Sequence, residues 1–179
     1  MAKISNTNAY PQINNINASD YLILTDSDNL LKTKTCTIGL LQTLFGLDSL
    51  NAKITVSNAA LLALGSTNKT LIAAPGANKV LDILNISMYL DAGGVAYDFG
   101  SNGLNIDINN IKFAQIQQAR INSSTDIVVK SIIGTGATDL AIGVNQPLIL
   151  TADDGNPTQG TGDAYFNITY RVLTVGSSF

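Results

Sequence analysis

The sequence contains no histidine, no tryptophan and no glutamate, so all thirteen of its acidic residues are aspartates. Without histidine, a Ser-His-Asp triad, a Cys-His pair and a histidine-ligated zinc site are all excluded. Without glutamate, the carboxylate pair of a glycoside hydrolase would have to consist of two aspartates. Two of the residue types most often used in active sites, histidine and glutamate, are therefore missing.

Charge and long apolar segments are also scarce. Charged residues make up 13% of the chain and the net charge is −3, so the basic face that nucleic acids require is not expected. The longest uninterrupted apolar run, residues 59–64, is too short to cross a bilayer. The first residues lack an apolar stretch of signal-peptide length. We therefore expect a protein made in a cytoplasm, with no membrane insertion and no nucleic-acid partner.

The single cysteine, Cys36, excludes an internal disulfide. It lies between Thr35 and Thr37 at an apparent strand end, where a small, half-buried side chain is expected. A reactive thiolate is the remote alternative, because only Lys32 and Lys34 are nearby to lower its pKa.

The first fifty residues indicate a small appended unit. Residues 5–20 form an Asn-rich polar arm, with too little apolar surface to order alone. Residues 21–25 and 30–37 predict a β-hairpin, and residues 38–45 a short helix. Such a unit is too small to be stable by itself. We therefore predict an attachment unit over residues 1–50.

Residues 51–179 predict a separate β-domain with one short helix capped by Ser57. Strand-like segments recur about every 8–12 residues, which favours a mainly β fold, an antiparallel, jelly-roll-like β-sandwich. In the longest of these predicted strands, residues 79–90, apolar residues occupy both odd-numbered and even-numbered positions of the first half. Residues 111–121 fit either a strand or a short helix. The other expected strands cover residues 53–56, 70–74, 95–99, 104–108, 126–133, 140–144, 148–152 and 164–175.

Two turns are predicted from dipeptides that contain glycine. Gly93-Gly94 is expected to form a hairpin that returns the chain along residues 95–99. Asn102-Gly103 has the composition of a type I′ turn.

Four short segments have the composition of a ligand site. Residues 26–29 and 153–156 are rich in aspartate and asparagine and would suit a hard cation, but neither has the spacing of an EF-hand. Residues 134–136 and 160–162 read Gly-Thr-Gly but lack the full phosphate-loop spacing and its lysine. All four are more simply solvated turns, so we expect no metal and no cofactor.

Four aspartates and a set of aromatic residues complete the candidates. Asp82, Asp91, Asp98 and Asp107 lie on or beside predicted strands, and two facing carboxylates could do acid–base work. Surface positions are the simpler interpretation, so no catalytic residue is assigned and no enzymatic activity is expected. The aromatic side chains would form either a sugar-stacking surface or, as we favour, core and subunit contacts. They are Tyr89, Tyr97, Phe99, Tyr165, Phe166 and Tyr170.

Two parts of the chain carry a resemblance to known proteins. Residues 20–26, followed by residues 32–38 and Leu41, resemble the short attachment unit near the start of many bacteriophage fibre proteins. Most of the remaining chain is similar to a β-sandwich domain of tailed-phage minor virion proteins. The segments that carry this second likeness are residues 54–56, Leu64, residues 71–80, Tyr97, and residues 145–150, 160–163 and 168–172.

The resemblance implies a virion protein, either a trimeric head fibre, a tail fibre or a capsid decoration protein. The lack of a long coiled-coil or β-helical shaft favours a short fibre or knob. Its expected partners are two further copies of itself and a capsid or tail protein of the same virion. One alternative is a receptor-binding module that contacts a host-surface glycan. An Asp-based glycan hydrolase and a cellular adhesin-like or cytokine-like sandwich are less favoured.

Overall fold

A computed structural model of the chain describes residues 19–26, 32–44, 49–133 and 142–176. The chain forms two compact units, Met1–Asp48 and Ser49–Phe179. Of the predicted polar arm, only its last two residues fall within the described ranges.

The first unit contains a hairpin and a helix. Strand β1 (Tyr21–Asp26) pairs antiparallel with β2 (Lys32–Thr37), and helix α1 (Ile38–Leu44) follows directly. The hydroxyl of Thr37 accepts a hydrogen bond from the backbone N–H of Leu40 at 3.1 Å, which satisfies one of the free donors at the helix start. The predicted hairpin and short helix are therefore confirmed.

The second unit is built from two antiparallel sheets. Its elements are β3 (Leu50–Val56), α2 (Asn58–Leu62), β4 (Lys69–Ile72), β5 (Lys79–Ala92), β6 (Leu104–Ile108), β7 (Ile111–Ile116), α3 (Gln118–Ile121), β8 (Ile127–Lys130), β9 (Ile132–Ile133), β10 (Leu148–Thr151) and β11 (Gly162–Thr174). The strand order is β3-β11-β5-β8 in the four-stranded sheet and β4-β10-β6-β7-β9 in the five-stranded sheet. The predicted mainly β, antiparallel class is thus confirmed, while the jelly-roll connectivity stays a prediction.

The core lies between the two sheets. Alternate side chains of a strand point to opposite faces, so each sheet can offer one apolar face to the other. Ile86, Met88 and Phe166 from the four-stranded sheet join Ile106 and Leu150 from the five-stranded sheet in one buried cluster. All five side chains are at most 1% exposed. Burial on this scale, at about 25 cal/mol per Å² of apolar area, is what holds the sandwich together.

A β-bulge explains the mixed pattern in the first half of β5. Ile83 and Asn85 pair with consecutive residues of β11, so Leu84 between them has no partner of its own. Before the bulge the odd-numbered Ile83 faces the core, and after it the even-numbered Ile86 does. Leu84 itself is 43% exposed.

The predicted hairpin at Gly93-Gly94 is wrong. Residues 95–99 form no strand, and β5 pairs instead with β11 and β8. Local turn composition cannot reveal that a partner strand at least seventy residues away in sequence pairs with β5 in place of residues 95–99. Tyr97 and Phe99 of the irregular segment are both buried.

Three further expectations need correction or completion. The turn at residues 102–103 is not of type I′, because only Gly103 has a positive φ and its N–H bonds to the carbonyl of Gly100 at 3.0 Å. Residues 111–121 contain both alternatives, β7 and then α3. Residues 142–144 are not a strand, and residues 140–141 lie outside the described ranges.

Within the described ranges, none of the helices is long and apolar enough to span a membrane.

Candidate functional site

The outer face of the four-stranded sheet carries a row of side chains that spans all four strands. The pairing register aligns Thr55 of β3, Tyr165 of β11, Tyr89 of β5 and Val128 of β8. These side chains point away from the core because their strand neighbours point into it. The row therefore presents an aromatic centre with smaller side chains on both sides.

A second, polar row lies beside the first. It runs from Lys53 of β3 through Asn167 and Ser87 to Lys130 of β8. The short side chains in its middle leave a groove of about 260 Å³, bordered by the aromatic row and by Lys53. Lys130 stands at the opposite edge of the same row. Together the two rows form a strip. One row has the two tyrosines at its centre, and the other has a lysine at each end.

Tyr89 and Tyr165, here called the tyrosine pair, are stacked, and Asp126 holds Tyr89 in place. Their ring centroids are 5.9 Å apart with an interplanar angle of 24°. The hydroxyl of Tyr89 donates to Oδ2 of Asp126 at 2.9 Å, and Oδ1 of Asp126 accepts from the N–H of Ala92, also at 2.9 Å. This hydrogen bond to a carboxylate raises the pKa of Tyr89. The two residues remain 37% and 39% exposed, so they form an accessible aromatic surface.

Several polar groups in the second row are free. Among the described residues, the side-chain amide of Asn167 and the ammonium groups of Lys53 and Lys130 have neither a hydrogen-bond nor an ion-pair partner. The hydroxyl of Ser87 donates to the backbone carbonyl of Asn167 at 3.3 Å. Exposed groups of this kind can bind a ligand without first breaking an internal contact.

The predicted aromatic set separates into core and surface. Tyr97, Phe99 and Phe166 are at most 2% exposed, and Tyr170 packs half-buried against the same core. For these four the core interpretation is correct. The tyrosine pair is the exception, because both of its side chains lie on the outer face of the sheet. The sequence did carry a sign of this, since each tyrosine occupies a position that alternates with buried residues along its strand. The register that brings the two rings together was not visible in the sequence.

The four candidate aspartates do not form a catalytic pair. Asp82 and Asp91 are nine residues apart on β5, which corresponds to about 30 Å of extended strand. Asp107 lies on the five-stranded sheet, where burial raises its pKa and the hydroxyl of Thr151 donates to it at 2.8 Å. Asp98 belongs to the irregular segment after β5. Each carboxylate is thus in a different part of the sandwich.

Two of these aspartates have clear structural roles. Oδ2 of Asp82 is 3.0 Å from Nε of Arg171, its cross-strand neighbour on β11. Asp98 accepts from the hydroxyl and, at 2.7 Å, from the N–H of Thr158, and the hydroxyl contact is the main reason why the pKa of Asp98 is lowered. One carboxylate joins two strands and the other fixes a loop.

The acidic turn at residues 153–156 is also occupied by internal contacts. Asp153 forms an ion pair with Lys112 at 3.3 Å. Asp154 accepts from the backbone N–H of Asn102 at 2.9 Å and from the hydroxyl of Ser101. In the part of the chain that the structure describes, no three acidic or cysteine side chains come together as a metal site.

The glycine-rich segment 160–162 packs against its neighbours. The hydroxyl of Thr161 accepts from the N–H of Val95 at 3.0 Å, and the glycines on either side have positive φ. Of the other two candidate turns, residues 26–29 are described only at Asp26, the last residue of β1, and residues 134–136 lie outside the described residues.

Cys36 is half-buried, as expected. Its Sγ lies 3.3 Å from the carbonyl oxygen of Thr37, a weak hydrogen bond within the chain. A small packing residue explains this environment.

The outer face of the four-stranded sheet is therefore the best-defined candidate site. It offers aromatic faces, one free amide and two free ammonium groups, which suit non-covalent binding. The absence of catalytic activity stays a prediction. Comparison of the chain with protein-family models, with curated proteins and with solved structures gave no match.

Proposed function

We propose that the chain is a structural component of a tailed-phage virion, a short fibre or decoration protein. Residues 1–50 attach it to the particle and the β-sandwich projects from the surface. The observation that carries this proposal is the division of the chain into a small hairpin–helix unit and a sandwich with its own core. A projecting protein needs both parts, one to dock and one to fold independently.

The exposed apolar side chains of the first unit support a docking role. Tyr21 is 69% exposed, Leu22 37% and Leu40 62%. A two-stranded hairpin with one short helix buries too little to be stable on its own. Covering these side chains with a partner surface would stabilise the unit by mass action. The partner we propose is a capsid or tail protein of the same virion.

A matched pair of leucine variants tests the docking role. Leu40→Ser removes an exposed apolar side chain from α1, and Leu84→Ser removes one from the β5 bulge. We expect the first to lower incorporation of the full-length protein into purified particles, measured by mass spectrometry, and the second to leave it unchanged. Equal incorporation of both variants would contradict docking through the first unit. Wild-type protein that is absent from particles would contradict the virion role itself.

We further propose that the protein assembles as a homotrimer. Its sparse charge gives little electrostatic repulsion between copies. Light scattering at micromolar concentration should give about three times the 18.8 kDa of one chain. A monomeric or dimeric mass would refute this part of the proposal.

A further inference from the structure

The tyrosine pair has the properties of a saccharide-stacking surface. The faces of aromatic rings carry partial negative charge, and the C–H groups on one face of a pyranose carry partial positive charge and are apolar. The two rings are stacked with their centroids 5.9 Å apart, and both residues remain more than one-third exposed. Asp126 fixes Tyr89 through a 2.9 Å hydrogen bond, so little side-chain freedom would be lost on binding.

The adjoining groove limits the size of the ligand. Its volume of about 260 Å³ is at or below the lower end of enclosed ligand pockets. A groove of this size, open to solvent along a sheet, suits one or two sugar rings of a longer chain. The free amide of Asn167 and the hydroxyl of Thr55 lie along it and can exchange hydrogen bonds with sugar hydroxyls.

The charges of the polar row determine which saccharide fits. Lys53 and Lys130 stand at opposite ends of a row that contains no acidic residue, in a protein whose net charge is −3. Across three strand spacings their backbones are about 14 Å apart. The nearby Asp126 already binds Tyr89 and Ala92. Two unpaired ammonium groups flanking an uncharged floor complement the carboxylates of an acidic saccharide that runs along the row.

We propose that this face binds an acidic saccharide, with a pyranose ring on the tyrosine pair and sugar carboxylates at Lys53 and Lys130. This binding is a property of the isolated protein and does not depend on its incorporation into a virion. A failed titration therefore leaves the virion role standing, and a failed incorporation experiment leaves the binding site standing.

Matched probes separate charge from stacking. Trigalacturonate and its fully methyl-esterified form have the same sugar rings with and without carboxylates, and 3′-sialyllactose and its methyl ester form a second pair. We expect calorimetry and tyrosine-ring NMR on the full-length protein to detect both acidic probes, with at least about tenfold weaker binding of the neutral ones. Raising the salt concentration from about 0.05 M to about 0.5 M should weaken acidic binding by screening.

Three variants locate the site. Tyr165→Ala should abolish binding of both acidic probes. Asn167→Ala should weaken it several-fold, and this exposed polar side chain can be removed without disturbing the core. The double variant Lys53→Met/Lys130→Met should lose the preference for acidic probes. The control Lys69→Met/Lys79→Met removes the same charge elsewhere on the sandwich and should keep that preference.

Three results would overturn the proposal. The first is no calorimetric or NMR response to either acidic probe, and the second is equal affinity for acidic and neutral probes. The third combines two observations. The wild-type protein binds none of the four saccharides, and light scattering shows that Tyr165→Ala dissociates the oligomer that wild type forms. That outcome would make this face a contact between copies of the chain.

Discussion

The hydroxyl of Tyr97 accepts a hydrogen bond from the side-chain amide of Asn58 at 2.6 Å and donates one to the carbonyl oxygen of Gly162, also at 2.6 Å. The same amide of Asn58 donates to the carbonyl of Gly160 at 2.9 Å. Tyr97 is only 2% exposed, so these bonds join the start of α2, the irregular segment after β5 and the start of β11 inside the sandwich.

Tyr97→Phe should lower the free energy of unfolding by about 1–3 kcal/mol, because it removes both hydrogen bonds of this hydroxyl and leaves the part-buried carbonyl of Gly162 without that donor. Urea denaturation measures the loss. Tyr165→Phe is the matched control, since its ring is 39% exposed, and it should change stability by less than about 0.5 kcal/mol. A Tyr97→Phe variant as stable as wild type would mean that the Tyr97 hydroxyl contributes nothing to folding.

Burial also raises the pKa of Tyr97, which predicts a pH dependence. The folded-state pKa lies above the ordinary tyrosine value of about 10, so the contribution to stability is complete below about pH 10 and is lost as the pH rises through the folded pKa. Wild type should therefore lose stability more steeply than Tyr97→Phe in alkaline solution. Thermal unfolding of both proteins across that range tests the prediction, and parallel curves would contradict it.

Gly76 and Gly162 have nearly the same φ angle but different surroundings, so alanine at each position distinguishes the cost of backbone strain from the cost of a steric clash. Gly162 has φ +104° and Gly76 has φ +103°. A Cβ on Gly162 would lie 1.8 Å from the carbonyl oxygen of Asp91, whereas a Cβ on Gly76 would meet nothing within 4 Å. Gly76→Ala should cost about 1–3 kcal/mol through backbone strain alone. Gly162→Ala should cost clearly more or prevent folding, and denaturation midpoints that are equal for the two variants would refute this.

Asn105 on β6 is fully buried, and neither atom of its side-chain amide has a hydrogen-bond partner among the described residues. An unsatisfied buried polar group costs about 1–3 kcal/mol, and valine suits a strand. Asn105→Val should therefore raise the free energy of unfolding by about 1–2 kcal/mol. Asn167→Val makes the same change at an exposed strand position and should have little effect. A loss of stability in Asn105→Val would show that its amide is satisfied in solution.

The contact between Tyr89 and Asp126 can be tested through ionisation. Asp126→Asn removes the carboxylate whose hydrogen bond raises the pKa of Tyr89, so that pKa should fall towards the ordinary value. An NMR titration of the Tyr89 ring carbon measures it. Asp98→Asn removes a carboxylate that binds Thr158 instead and should leave the titration unchanged. No change in Asp126→Asn would contradict the hydrogen bond.

Much of the fold could be predicted because its signals are local. Thr37 and Ser57 identify helix starts by their side-chain chemistry, and their hydroxyls accept the expected backbone hydrogen bonds. In strand β6, Leu104 and Ile106 are buried as the alternating pattern predicts, although Asn105 between them is buried as well. Such patterns depend on a few neighbouring residues, so they can be read without knowing the partner strands.

The pairing of distant strands could not be predicted in the same way. Strand β5 has its longest ladder with β11, although the sequence between them offers a glycine-rich turn that favours a local hairpin. The candidate site depends on the same information. The parity of Tyr89 and Tyr165 indicated outward side chains, but only the register places Lys53 and Lys130 at the ends of one row.

The bulge at Leu84 has a consequence for how the length of this protein can change over evolution. A one-residue deletion inside a strand normally moves every following side chain to the opposite face. Here Leu84 has no partner, while Ile83 and Asn85 pair with adjacent residues of β11. A chain without Leu84 would form an uninterrupted ladder in which Ile83 and Ile86 still face the core. The middle of the longest strand, normally the least tolerant place for a deletion, is thus where this fold can lose a residue with every other side chain on its original face.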